Sequence, residues 1–184
     1  MKKKFLAIIH AFLAAMLLTT SANAGGSVKL GGSVKLSAEE FSLGSLIAKG
    51  TLTGLGNDDV TVVLYATGTP VITCFNPGEN PVPGQSSPKV SATDEDALPG
   101  NDPNRKNGKT VFNTEADASE ISWDAAGCPN PAWTAHVDFV FWTNATISVY
   151  QGIDADVLGD LIGSQDYTCI TTRDPATVTC TRVP

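Results

Sequence analysis

The chain is short of positive charge: its 184 residues include 12 Lys and Arg against 19 Asp and Glu. Lys2, Lys3 and Lys4 stand at the extreme N-terminus, so nine cations serve everything after them and that part carries a net charge of −10. Such a surface repels nucleic acid and anionic membranes, and neither is expected as a partner. Histidine is scarce too, limited to His10 and His136. There is no G-x-S-x-G, no H-E-x-x-H and no C-x-x-C, which removes the nucleophile elbow, the zinc-protease helix and the common zinc-binding spacing. No apolar run reaches the roughly 20 residues that span a bilayer; the longest, Phe5 to Leu18, has 14. What the chain does have is 17 Gly and 11 Pro, all after residue 24, and that density of breakers excludes a helical bundle or coiled coil.

The N-terminus has the grammar of a secretory leader. Lys2–Lys4 form a basic start, Phe5 to Leu18 an apolar stretch, and Ala22-Asn23-Ala24 a small-residue cleavage site. Residues 1–24 are therefore expected to be a signal peptide, leaving a secreted, extracellular protein, or a periplasmic one if the host has an outer membrane. No Cys at the cleavage site could carry a lipid, and Thr181 to Pro184 is not a hydrophobic sorting tail, so no membrane anchor is expected.

An even number of cysteines in an exported chain reads as disulfides. Tyr167–Thr172 and Thr177–Val183 are β-type runs, and with Asp174-Pro175 at the turn between them Cys169 and Cys180 fall directly opposite each other. That leaves Cys74 to pair with Cys128. The chain-entropy model gives about 3 kcal/mol for the short hairpin loop and about 4 kcal/mol for the long one.

Residues 25–36 are a tandem repeat, Gly-Gly-Ser-Val-Lys-Leu twice over, too short for a solenoid. Residues 25–40 are expected as a flexible linker and 41–184 as a single domain. Short β-type runs follow, separated by turn clusters: Leu46–Thr53, Val60–Thr67, Val71–Phe75, and later Leu158–Ser164 and the final hairpin. Residues 76–108 hold six of the eleven prolines, and one short strand, Lys89–Thr93, is expected inside this Pro-rich insertion. Lys109–Asn113 and Glu120–Trp123 are weaker candidates. Ala132 to Trp142 alternates, with Trp133, Ala135, Val137, Phe139 and Phe141 on the odd positions. The alternation predicts a strand with its odd face inward, turned by Thr143-Asn144-Ala145 into a second strand from Thr146 to Tyr150. The sum is an all-β fold, an antiparallel two-sheet β-sandwich, Ig-like or related, of about eight strands.

Two segments, Gly54-Leu55-Gly56-Asn57-Asp58-Asp59-Val60-Thr61-Val62 and Cys74-Phe75-Asn76-Pro77-Gly78 through Asn80 to Pro83-Gly84-Gln85, resemble a family of uncharacterised secreted bacterial proteins. The resemblance implies an exported, disulfide-linked β domain and supplies no catalytic residue.

For chemistry, His136 is the one conventional base after the leader, with Asp138 two residues on and on the same strand face. Their roughly 6.6 Å separation along a strand suits a surface pair better than a hydrogen-bonded dyad. Residues Asp154 to Gln165 resemble a calcium loop in part: Asp154 and Asp156 take positions 1 and 3 and Gly159 position 6, with Asp160 next, but Leu158 and Gln165 stand where two further ligands belong. Asp94-Glu95-Asp96 reads as a solvated acidic loop. The even face of the 132–151 hairpin would bring His136, Asp138, Trp142 and Tyr150 into one aromatic and polar patch, suited to a sugar ring or peptide. The expected function is a non-enzymatic binding or structural role at the cell exterior, with a glycan or protein ligand and calcium as the one cofactor considered. The alternative is an extracellular hydrolase of glycan or peptide using His136 or an acidic pair.

Overall fold

The computed structural model describes residues 29–37 (backbone only), 45–86, 88–154 and 157–184. Residues 1–24, expected as a signal peptide, lie outside the described residues. The described chain is all-β: β1 Lys29–Ser37, β2 Ser45–Thr53, β3 Val60–Phe75, β4 Pro81–Pro83, β5 Val90–Leu98, β6 Thr110–Asp117, β7 Thr134–Gln151, β8 Leu161–Arg173 and β9 Ala176–Arg182. All pairings are antiparallel. The small sheet runs β1-β2-β6; the large one runs β4-β3-β7-β8-β9, with β5 also on β3. The two stack as a sandwich of the expected class.

Three differences from the sequence expectation have physical causes. Residues 29–36 of the tandem repeat, expected as linker, lie in β1 and pair with β2, the ladder shifting between Gly31 and Lys35. The Gly31-Gly32 pair stands at that irregularity, where glycine tolerates a break in the pairing, and residues 25–28 lie outside the described residues. Second, Gly68-Thr69-Pro70 does not turn the chain, and β3 runs on for 16 residues. Pro70 is tolerated because β5 ends opposite Gly68 and β4 begins opposite Thr73, so β3 has no strand neighbour on that side between them. Gly68 is needed there: a Cβ would lie 2.6 Å from Val140 Cγ1 and 2.8 Å from the Phe141 carbonyl oxygen.

Third, Thr143-Asn144-Ala145 does not form a hairpin turn. The span 134–151 holds no Gly or Pro, and β7 continues through it as one 18-residue strand paired with β3 from end to end. Two one-residue bulges, at Asp138 and Thr143, keep the pair in step. Each bulge moves the inward phase by one residue. Val137 faces the core, then Val140 and Trp142, then Ala145, Ile147 and Val149.

The main core lies between the sheets. Even-numbered residues of β3 from Val60 to Ala66 meet Leu46, Ala48 and Leu52 of β2 and Phe112 and Ala116 of β6. The far halves of β3 and β7 carry a second, smaller core of Ile72, Cys74, Ala126 and Cys128, with Trp123 and Trp133 packed on it. Residues 118–133 form no strand, contrary to the expectation for Glu120–Trp123, and the Cys74–Cys128 disulfide pins them there with a Cα separation of 5.7 Å. Cys169 and Cys180 are bonded directly opposite each other on β8 and β9. Two disulfides are the mark of a chain matured in an oxidising, extracellular-type environment. No helix of the described residues is long and apolar enough to cross a membrane.

The acidic run 94–96 belongs to β5 rather than to a solvated loop, and it closes one side of the sandwich. Asp94 Oδ2 accepts the Glu115 amide at 2.7 Å and Asp96 Oδ2 the Asn113 amide at 2.9 Å. These carboxylates satisfy donors on the edge of β6 that β2 does not reach, as a neighbouring strand would. Asp94→Ala should therefore speed hydrogen exchange at the Glu115 amide and leave that of Asn113 protected, while Asp96→Ala does the reverse. Equal loss at both amides in either variant would show general fraying instead.

The insertion at 99–108 locks against the β2–β3 turn. Arg105 donates from Nη1 to the Asp58 carbonyl and from Nη2 to that of Leu98, and Asp59 Oδ1 accepts the Gly100 amide at 2.6 Å. A Cβ on Gly100 would sit 1.8 Å from the Asn57 carbonyl oxygen, inside backbone that cannot swing aside. Gly100→Ala should cost about 1–3 kcal/mol in a denaturant melt. An unchanged midpoint would mean the two loops are not in contact in solution.

Candidate functional site

The outward face of the large sheet positions the candidate residues. The register sets His136 opposite Thr73 and Thr134 opposite Phe75. The bulge at Asp138 turns its carboxylate back along the same face, shortening the gap that a regular strand would leave. Asp138 Oδ1 stands 3.1 Å from His136 Nδ1, and its Oδ2 accepts the Thr73 hydroxyl at 2.6 Å. An ionised carboxylate only accepts, so Nδ1 carries the proton in this contact. The imidazole side chain is 68% exposed, and Phe75 meets it edge-on with ring centroids 6.5 Å apart. His136 and Asp138 are thus hydrogen-bonded, against the expectation of a mere surface pair, and the bulge is the reason.

The other two members of the expected patch do not join them. Trp142 lies on the inward side of β7 after the phase shifts and is 1% exposed in the main core. Tyr150 is on the outward face but opposite Thr61, twelve residues along β3 from Thr73 and about 40 Å away at strand rise. Phe141, expected in the core opposite Ile147, is instead 37% exposed and packs edge-to-face on buried Phe139 at 4.8 Å. Thr73, Phe75 and Phe141 are the site residues that strand alternation alone does not find. The outward phase of β3, opposite to Val60, Val62 and Leu64, is the signal that picks out the first two.

As chemistry, the order of the hydrogen bonds matters. Nucleophilic activation needs a hydroxyl bonded to the imidazole and a carboxylate behind it. Here the carboxylate is in the middle: Thr73 gives its proton to Asp138, and no hydroxyl is bonded to His136 among the described residues. The arrangement holds the imidazole and the Thr73 hydroxyl on one carboxylate, with Phe75 edge-on to the imidazole ring. Asp94 and Asp96, an acidic pair on one face of β5, are committed to the β6 edge.

Two other places bear on ligand chemistry. A groove of about 580 Å³ is lined by Ser119, Glu120, Ile121, Ser122 and Ala135, on the side of β7 away from His136. Beside it the Ser122 hydroxyl, and then the Ala125 amide, hold the Asp124 carboxyl below the usual range. Of the calcium-loop residues, Asp156 lies outside the described residues; Asp160 accepts the Gln151 amide through its carbonyl at 2.9 Å. Among the described residues no three His, Cys, Asp or Glu side chains cluster as metal ligands.

The segments 54–62 and 74–85 shape the turns on either side of β3. Asn76 Oδ1 accepts the amides of Gly78 and Asn80 at 2.9 and 3.0 Å, shaping the turn from β3 into β4, and Asp58 and Asp59 hold the 99–108 insertion. Compared with protein-family models, curated protein sequences and solved structures, the chain matches none.

Proposed function

We propose that the chain is exported with loss of residues 1–24 and acts outside the cell as a non-enzymatic recognition module, as the resemblance to secreted bacterial proteins also suggests. Ligand contact is made by the outward face of the large sheet, through His136, Asp138, Thr73, Phe75 and Phe141. The observation that carries this reading is the Thr73–Asp138–His136 chain of hydrogen bonds beside the half-buried Phe75 ring, with the exposed Phe141 further along the same face. Polar atoms fixed before binding lose little entropy on binding, and ring faces beside them bury apolar area. A glycan or a peptide side chain offers the matching surface.

Glycan and peptide arrays probed with the oxidised protein test it. At least one ligand class should bind, and His136→Ala and Phe141→Ala should each weaken it about tenfold, the loss of one well-placed contact of about 1.4 kcal/mol. Binding that neither substitution alters would place the ligand elsewhere and overturn the assignment. Turnover of any glycan or peptide by the protein, lost in His136→Ala, would favour the hydrolase alternative.

A further inference from the structure

The β3–β7 ribbon carries more on its outward face than the His136 cluster. Aromatic rings recur along it: Phe75 at one end, Phe141 opposite Thr69, then Tyr65, then Tyr150 opposite Thr61. Measured in β3 positions these stations stand six, four and four residues apart, so the lane spans about 45 Å at strand rise. Tyr65, ten positions from the Phe75 end and four from the Tyr150 end, is 46% exposed, a large ring presented to solvent from a strand paired on both sides.

Between the rings the lane is hydroxyl and amide, and these groups are held in place. Thr143 donates to the Thr67 carbonyl at 3.2 Å and Asn144 Nδ2 to Thr143 Oγ1 at 3.1 Å. Thr146 donates to Asp166 Oδ1 at 2.7 Å, and Ser148 and Ser164 share a hydrogen bond at 3.3 Å. The charge it carries is negative only: β3 has no Asp, Glu, Lys or Arg and β7 has Asp138 alone, while Glu95 of β5, opposite Val63, and Asp166 of β8, opposite Thr146, add carboxylates at its sides. In a chain with so negative a balance, a lane without a cation turns away polyanions.

The Tyr65 to Tyr150 half of the lane lies on interior strands. Over Val60–Gly68, β3 is paired by β5 on one side and β7 on the other, and β7 is paired by β8 over Asn144–Tyr150. Backbone groups there are already used, so an extended peptide gains no added strand. What remains on offer is ring faces and fixed hydroxyls, the two things a polyol chain with flat sugar faces can use.

We propose that this lane is a binding track for an extended, neutral polysaccharide, lying along the β3–β7 ribbon with Tyr65 as its main stacking platform. This rests on the recognition role of the outward face and names its ligand class.

Isothermal titration with neutral β-linked gluco- and manno-oligosaccharides of two, four, six and eight units tests it, with alginate as a polyanionic control. Affinity should rise with length for at least one neutral series. Tyr65→Ala should lower affinity for the eight-unit chain about tenfold, flatten the length dependence and leave the shortest chains unaffected; near-UV circular dichroism checks that the variant is folded. Length-independent binding that Tyr65→Ala does not alter would overturn the track and leave the His136 site standing. Preferential binding of alginate would overturn the charge argument. Peptide binding lost in Phe141→Ala, with no glycan bound, would overturn the polysaccharide while keeping the recognition role; binding of nothing on either array would remove both.

Discussion

Trp142→Ala should destabilise the folded protein by about 3–5 kcal/mol, while Phe141→Ala, one residue away, should cost about 1 kcal/mol. Strict alternation along β7 predicts the reverse, so the pair of measurements tests the two bulges directly. Trp142 is 1% exposed and packs in the main core, opposite Gly68, whose missing side chain leaves room for the close approach of the two strands. Truncating the indole empties a large volume in a sandwich that cannot collapse onto it, since long paired strands fix both sides of the gap. Phe141 is partly solvated and loses chiefly its contact with Phe139.

Trp142→Phe adds a second arm. The indole Nε1 has no hydrogen-bond acceptor among the described residues, and a buried donor without one costs about 1–3 kcal/mol. Phenylalanine removes that donor together with part of the ring, so the two effects oppose and the net loss should stay below about 1.5 kcal/mol in a urea melt. A loss in Trp142→Phe equal to that in Trp142→Ala would mean that the N–H is satisfied in solution or that ring volume alone decides.

Trp142 also shows where sequence reasoning stops. The alternation of Ala132–Trp142 marks a strand correctly, and the placements of Val137, Ile147 and Val149 follow from it. The bulges at Asp138 and Thr143 carry no compositional mark, because neither position needs a Gly or a positive φ. Each moves the inward phase by one residue, so an error that begins at Phe139 inverts Phe141 and Trp142 and then cancels before Ile147. Half of the expected patch fell in that inverted stretch or far along the strand. The disulfide between Cys169 and Cys180 was legible because a short turn with a defined centre fixes register locally. Asp94 and Asp96 were not, because a carboxylate that caps a strand edge looks in sequence like one in water. Only the pairing of β5 with β3 turns them toward β6. Tyr65 was hidden for a simpler reason: on a strand read for its core face, Val60, Val62 and Leu64 draw attention to the opposite phase.

Removing the Cys74–Cys128 bridge by Cys74→Ala/Cys128→Ala should cost about 4 kcal/mol, more than the roughly 3 kcal/mol expected for Cys169→Ala/Cys180→Ala, because the first bridge closes a loop of 54 residues in sequence separation and the second one of 11. For a domain of this size the larger loss corresponds to a fall of roughly 8–16 °C in Tm. Where the loss appears matters as much as its size. Cys74 and Cys128 are half of the second core, and the segment 118–133 contributes no strand to either sheet, so side-chain packing and the bridge hold most of it to β3 and β7. Ser86 gives it a further tie, donating to the Ala125 carbonyl at 2.7 Å. With the bridge gone, limited proteolysis should cut first within 118–133, and hydrogen exchange should rise there and at the Phe75 end of β3 while Val60–Ala66 stays protected. The Thr73–Asp138–His136 bonds lie on the other face of those same strand ends, next to Cys74 in sequence, so ligand binding at His136 should weaken in the bridge-free variant while the Tyr65 region of the ribbon is unchanged. Uniform loss of protection across both cores would show instead that the sandwich unfolds as one unit and that the second core has no separate stability.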